Sequence, residues 1–200
     1  MDAYEQMKSG NLYFSDTDEL LERQALQMEL LYDYNATRPR DKGYREALLK
    51  RLLAEVGDDC YIEPPLHANW GSNTHLGNSV YANFNLTLVD DTDIFIGDEC
   101  MIGPNVVIAT AGHPIEPELR RKAAQFNIPV HIGRNVWIGA GAVILPGVHI
   151  GDNSVIGAGS VVTKDIPENS VAYGNPCRVV REISDHDRKY YYKDRLIDLK

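Results

Sequence analysis

Ile132–Pro167 reads IGRNVW IGAGAV ILPGVH IGDNSV IGAGSV VTKDIP, six consecutive blocks of six residues that each open on an aliphatic side chain. A period of six is neither the two of a strand nor the 3.6 of a helix, and a fixed repeat of this kind marks a stacked architecture in which each unit packs on the next. The leading Ile or Val is expected to point into a narrow prism, and the glycine that follows it to let the backbone turn the corner without a Cβ clash. The fifth place holds Val136, Ala142, Val148, Ser154, Ser160 and Ile166, small or β-branched residues that suit an interior with little room. Three flat faces of about six residues then complete one coil, and successive coils pair their strands in parallel.

The same frame extends towards the N-terminus. IGDECM from Ile96 and IGPNVV from Ile102 share its phase, with Cys100 and Val106 in the fifth place, and the pattern reaches Ile108 before it fails. A looser version runs through LGNSVY from Leu76, Ala82 and Leu88, with a slip of two residues before Ile96. Between Ile108 and Ile132 lies ATAGHPIEPELRRKAAQFNIPVH, which breaks the repeat and returns in phase. That behaviour predicts an inserted loop at about 109–131, and a long loop on a rigid solenoid is a usual place for function.

Residues 1–58 have a different character. Leu20, Leu21, Leu26, Met28, Leu30, Leu31 and Tyr34 recur at roughly helical spacing from Asp18 to Tyr34, and Asp16 with Glu19 resembles a capping box. Leu48, Leu49, Leu52, Leu53 and Val56 predict a second helix from about Tyr44 to Val56, with Gly57 as its left-handed stop. The expected organisation is a helical N-terminal segment over 1–58, the repeat domain over 59–183 and a charged tail over 184–200. With 24% charged and 44% apolar residues the chain falls in neither the disordered nor the membrane class. Its formal net charge of −9 argues against nucleic acid and anionic membranes as partners. MDAYEQMKSG lacks a basic stretch followed by an apolar one, so a cytoplasmic location is expected. Cys60, Cys100 and Cys177 are odd in number and far apart, and are expected as free thiols.

His113, in the AGHP of the insertion, is the first candidate for proton transfer, because imidazole is the side chain best matched to that task near neutral pH. Taken alone, a loop histidine is more often structural. Asp16 can equally cap a helix, and Asn83, Asp90 or Asp91 can equally stabilise coil corners. Three histidines bind zinc at a subunit interface in the γ-class carbonic anhydrases, another hexapeptide family. His131 and His149 are about one coil apart and can stack on one face, but the close histidine pair that such a site needs is absent, so no metal is expected. His67, His75 and His186 read as incidental, and Cys100 as a small core residue.

The whole chain resembles the hexapeptide-repeat acetyltransferases, specifically the galactoside and maltose O-acetyltransferases. The resemblance rests on the two-helix N-terminus with YFSD, on EPP, NWGSN, YANFNLTLVDD, IGPNV, the GHP loop and NVWIG, and on GDNSVIGAGSVVTKDIP and GNPCRVVREI. It implies a mainly β chain folded as a left-handed parallel β-helix, a homotrimer, and acetyl-CoA as cosubstrate lying between adjacent prisms. It implies that His113 takes the proton from a sugar hydroxyl that attacks the thioester directly, with neither a metal nor a covalent enzyme intermediate. Asp16, Asn69, Asn83 and Asp91 match acceptor-holding positions. Trp137 matches a position that packs on the pantetheine arm, where ordinary packing between subunits is the alternative. Ala140 and Ala158 match small residues that let CoA approach, and Thr163, Lys164, Arg178 and Arg181 match contacts to its nucleotide end. YANFNLTLVDD and GHPIEPELR look nearest the galactoside branch and its 6-hydroxyl, with maltose or glucose as the alternative acceptor. Serine and antibiotic acceptors are disfavoured by the sugar-type N-terminus. A non-catalytic trimeric scaffold would be expected to have lost these residues.

Overall fold

The computed structural model describes residues 2–15 and 17–199, and shows a left-handed parallel β-helix closed at its N-terminal end by helices. Each coil visits three faces in turn. Face 1 stacks Glu55–Val56, Thr74–Leu76, Ile94–Ile96, Val130–Ile132 and His149–Ile150; face 3 stacks His67–Ala68, Thr87–Val89, Val107–Ala109, Val143–Ile144 and Val161–Val162. Face 2 stacks Tyr61–Ile62, Tyr81–Ala82, Met101–Ile102, Trp137–Ile138 and Val155–Ile156, and then gains Ser170–Gly174 in parallel and Cys177–Glu182 antiparallel to it. The register is in phase throughout, with Ile132 beside Ile150, Ile138 beside Ile156 and Ile144 beside Val162. These leading residues are buried, as are the fifth-place Val136, Ala142, Ser154 and Ser160.

The corners work differently from the sequence expectation. The second-place glycines have ordinary φ; what excludes a side chain there is the next coil, since a Cβ on Gly151 would lie 2.3 Å from the Glu168 nitrogen and one on Gly139 2.5 Å from the Ala158 nitrogen. The left-handed residue sits at the fourth place, which holds Asn105, Asn135 and Asn153 as well as Gly141 and Gly159. Asparagine tolerates that conformation, and its amide adds a ladder up the corner, Asn135 to Asn153 at 3.1 Å and Asn153 to Asn169 at 3.0 Å.

Three helices precede the coils: α1 (Ala3–Lys8), α2 (Asp18–Asn35) and α3 (Lys42–Leu52). Helix α1 has no counterpart in the apolar periodicity of the sequence; Asp2 and Glu5 cap it reciprocally. Thr17 caps α2, bonding the Leu20 amide, while Asp16 lies outside the described residues. Leu20, Leu31 and Tyr34 face inward, whereas Leu21, Leu26 and Met28, counted with that stripe in the sequence, are exposed. The second helix ends at Leu52, and Glu55–Val56 already forms the first strand of the prism. Gly57 is therefore no helix stop: it is a corner residue whose Cβ would meet the Gly77 carbonyl at 2.5 Å. Leu48, Leu49, Leu52 and Leu53 continue the prism core, and the buried Tyr34 hydroxyl donates to the Ile62 carbonyl at 2.6 Å. No helix among the described residues is long and apolar enough to cross a membrane.

The outward column of face 1 is a stack of rings. His75, Phe95, His131 and His149 lie 4.6–4.7 Å apart, each nearly parallel to its neighbour. His131 and His149 stack as their spacing suggested, and His75, set aside as incidental in the sequence, belongs to the same column. Burial, with His149 alongside, holds the His131 imidazole below its ordinary pKa.

Two tests follow from this packing. Gly151→Ala is expected to lower stability by about 1–3 kcal/mol in urea unfolding, because backbone atoms fill the site of the added methyl. Gly141→Asn is expected to be tolerated, since nothing lies within 4 Å and asparagine already serves at equivalent corners. Equal costs would contradict this division of labour. The second test concerns the fully buried Asp90, which accepts from the Trp70 amide at 2.9 Å and the Thr74 hydroxyl at 3.0 Å. Burial raises its pKa from 3.8 to about 6. The folded chain then holds a proton that the unfolded chain has lost, so the contribution of Asp90 to stability falls as pH rises from about 4 to 6. Asp90→Asn is expected to remove that slope, and Asp90→Ala to cost roughly 2–4 kcal/mol by leaving two buried donors unpaired.

Candidate active site

The insertion after face 3 is a folded element rather than a bare loop. Ala111–Gly112 and Ala124–Asn127 form two antiparallel strands, with α4 (Pro117–Arg121) between them, and Tyr13–Phe14 adds a third strand from the N-terminal segment. Asn127 ties the group together: its amide donates to the Met7 carbonyl at 2.9 Å and the Tyr13 hydroxyl at 3.1 Å. The N-terminal residues thus brace the insertion against the corner where face 3 turns into face 1.

His113 follows directly on Ala111–Gly112. Its Nδ1 lies 2.9 Å from the Ala124 carbonyl oxygen. A carbonyl only accepts, so this bond assigns the proton of the neutral ring to Nδ1 and leaves the lone pair on Nε2, in a residue that is exposed. That is the arrangement a general base requires. The N-terminal strand runs alongside the Ala124 strand, with Phe14 paired to Ala124 and Tyr13 to Gln125.

Beside this strand lies a cavity of about 200 Å³, lined by Met7, Tyr13, Ser15, Leu20, Leu21, Gln24, Trp70, Asp91 and Gln125. Aromatic walls with a few amide and carboxylate groups suit a polyhydroxylated ligand. Asp91 is nearly buried and accepts from the Asn69 amide at 2.9 Å, while Gln24 donates to the Asn69 carbonyl at 3.2 Å. Asp90 and Asp91, alike as turn candidates in the sequence, have separate tasks: Asp90 clamps the 70–74 turn, and Asp91 faces the cavity. Sequence reading missed Tyr13, Ser15, Gln24, Trp70 and Gln125. Gln24 carried a signal, since it stands one helical turn from Leu20 on the inward stripe of α2; Gln125 carried none.

The expected site residues fall on two edges of one prism. Asn69, Asp91 and His113, with Thr163 and Lys164 two coils beyond, lie where face 3 turns into face 1. Asn83, Ala140 and Ala158 lie where face 2 turns into face 3, and Trp137 stands on face 2 beside them, 53% exposed. A six-residue repeat with its corner separates the two columns by on the order of 15 Å, so one chain does not bring them together. Asn83 caps its own corner, its Oδ1 accepting from the Phe84 amide at 2.8 Å. In the later coils of the second edge the third places carry only small side chains, Pro104, Ala140 and Ala158, whereas Phe84 stands at the equivalent place beside Asn83. Arg178 and Arg181 extend from the last strand of face 2. The Arg178 Nη1 donates to the Cys177 carbonyl at 2.7 Å, and Arg181 is paired with Asp187.

Among the described residues no group of three or more His, Cys, Asp or Glu side chains is placed to hold a metal ion. The three cysteines are free, and burial raises the Cys100 thiol to about 11.

Two family profiles match the chain: a maltose acetyltransferase hexapeptide capping motif over residues 6–57 and a bacterial transferase hexapeptide of six repeats over residues 129–164. The chain is 50% identical to the galactoside O-acetyltransferase of Lactococcus lactis subsp. lactis strain IL1403 over 200 residues, covering 100% of this chain and 97% of that protein. Among solved structures, a galactoside acetyltransferase in complex with coenzyme A superposes with a TM-score of 0.95 at 48% identity, covering 100% of both chains. A maltose O-acetyltransferase from Clostridium difficile 630 superposes with a TM-score of 0.90 at 43% identity, covering 92% of this chain and 98% of the other. Full-length identity at this level, on a shared prism with the same capping segment, makes the chain a member of the galactoside and maltose O-acetyltransferase family of hexapeptide-repeat acetyltransferases.

Proposed function

We propose that the protein transfers the acetyl group of acetyl-CoA to a sugar hydroxyl, that of a galactoside at its 6-position, with His113 as general base. The observation that carries the reading is the bond from His113 Nδ1 to the Ala124 carbonyl beside the cavity that Asp91 lines. The Nε2 lone pair takes the proton of the acceptor hydroxyl as its oxygen forms a bond to the thioester carbonyl carbon. Collapse of the tetrahedral intermediate breaks the carbon–sulfur bond, and the departing CoA thiolate recovers the proton from the imidazolium. The thioester is already activated, so base and positioning suffice for the acceleration. Asp91, Asn69 and Asn83 are assigned to the acceptor, with Asp16 as the N-terminal contribution. Trp137, Ala140, Ala158, Thr163, Lys164, Arg178 and Arg181 are assigned to acetyl-CoA. Its solved relative with bound coenzyme A supports that cosubstrate.

The distribution of these residues on two edges supports a trimer in which each site lies between neighbouring prisms. One subunit supplies the edge bearing His113, Asp91 and Lys164, and the next supplies the edge bearing Asn83, Trp137 and Ala140. The three free thiols fit a reducing, cytoplasmic compartment. A maltose or glucose acceptor is the second reading, favoured by the capping motif and by the maltose O-acetyltransferase likeness.

Release of free CoA from acetyl-CoA, followed across galactosides, glucosides and maltose, names the acceptor. His113→Ala is expected to lower sugar-dependent turnover by about 100-fold or more while leaving CoA binding intact. Unchanged turnover would remove His113 from the mechanism. Mixing His113→Ala with Asn83→Ala chains after subunit exchange is expected to restore activity, because some sites then receive an intact edge from each chain. Mixtures no more active than the separate variants would place the whole site on one subunit.

A further inference from the structure

The last strand of face 2, Cys177–Glu182, leads through Ser184 into α5 (Asp185–Lys189), and this short turn brings an anion back onto the strand. Arg181 Nη1 lies 2.7 Å from Asp187 Oδ2, and Nη2 lies 2.8 Å from Oδ1, a two-pronged end-on pair. The same Nη1 donates to the Glu182 carbonyl at 3.1 Å. Asp187 is itself held, accepting from the Ser184 amide at 2.9 Å and its hydroxyl at 3.3 Å. Arg181 stabilises the Asp187 carboxylate, keeping it well below the usual range.

A guanidinium has five N–H donors in a planar fork. Three are used here, all from Nη1 and the inner side of Nη2. The Nε–H and the outer Nη2–H remain, parallel and on one edge, with the spacing that two phosphate oxygens accept. The Arg181 side chain is 49% exposed, so a ligand can reach that edge. A surface arginine without a partner samples many rotamers and loses them on binding an anion, whereas one already fixed in orientation loses less.

We infer that Asp187 is a positioning residue for cosubstrate binding, gripping Arg181 end-on so that its Nε edge is presented to a phosphate of the CoA nucleotide. This rests on the assignment of Arg181 to CoA. It opposes the simpler idea that a carboxylate beside a phosphate-binding arginine weakens it by competition: a competitor would occupy the presented edge, and Asp187 occupies the other.

The test compares KM and kcat for acetyl-CoA and for acetyl-pantetheine, which lacks the nucleotide, in the wild type and in Arg181→Ala, Asp187→Asn, the double variant and Asp185→Asn. Asp187→Asn keeps an oxygen for the Ser184 amide, and Asp185→Asn removes only the neighbouring Arg188 pair of the same helix. Asp187→Asn is expected to raise KM for acetyl-CoA about 5–10-fold with little change in kcat or in KM for acetyl-pantetheine. The double variant is expected to match Arg181→Ala alone, and Asp185→Asn to match the wild type. If Arg181→Ala leaves the preference for acetyl-CoA over acetyl-pantetheine unchanged, the assignment of Arg181 to CoA fails. If Arg181→Ala abolishes that preference while Asp187→Asn leaves it unchanged or tightens binding, the positioning role fails and the assignment stands. An equal defect in Asp185→Asn would reduce Asp187 to holding the helix, and would also overturn it.

Discussion

Each coil of this prism sits directly on the next, backbone against backbone, and the rest of the molecule follows from that approach. At the corner after face 1, and after face 2 in the later coils, the gap between coils is too small for a Cβ, which fixes glycine at the second place of the repeat in Gly97, Gly133, Gly139 and Gly151, whereas the corners after face 3 carry side chains such as Asn69, Leu145 and Thr163. In-phase stacking then turns every position of the repeat into a column. Inward columns become a continuous aliphatic core, a corner column becomes the asparagine ladder, and an outward column becomes the stack of His75, Phe95, His131 and His149. A solenoid of this kind is rigid along its axis but offers no deep cleft of its own.

Chemistry therefore has to come from departures from the repeat. The insertion leaves one corner, folds into two strands and recruits Tyr13–Phe14 as a third, so that the N-terminal segment and the insertion stabilise each other. The backbone carbonyl of Ala124, on the middle strand of this small sheet, orients the His113 ring. A carbonyl rather than a carboxylate as partner sets the tautomer without adding negative charge beside the base. The geometry that prepares His113 is thus a property of the contact between insertion and N-terminus, and both are tied to the prism through Asn127 and α1.

How much of this was legible in the sequence depended on the range of the interaction that fixes each feature. The prism and its phase are local, since each Ile and Val of the repeat meets the residue one coil away, and the period alone reveals it. The reason for the glycines was not legible, because a residue needed for a turn and one needed for close approach look alike in one dimension. Gly57 reads as a helix stop for the same reason. His75 looked incidental because its partner Phe95 is no histidine and breaks the visible pattern. His113 stands out in the sequence as a candidate, but the carbonyl that orients it belongs to a strand pairing that no periodicity reports. The cavity residues Tyr13 and Gln125 are distant in sequence and meet only through that pairing, and Trp70 reaches the cavity from the turn that Asp90 clamps.

The central claim is that the fold presents His113 with its Nδ1 proton committed to the Ala124 carbonyl and its Nε2 free to accept. Long-range ¹H–¹⁵N correlation spectra of the imidazole nitrogens at a pH where the ring is neutral, assigned with His113→Ala, read this directly. The account predicts a protonated Nδ1 and a pyridine-like Nε2 for His113. A neutral ring carrying its proton on Nε2 would contradict it.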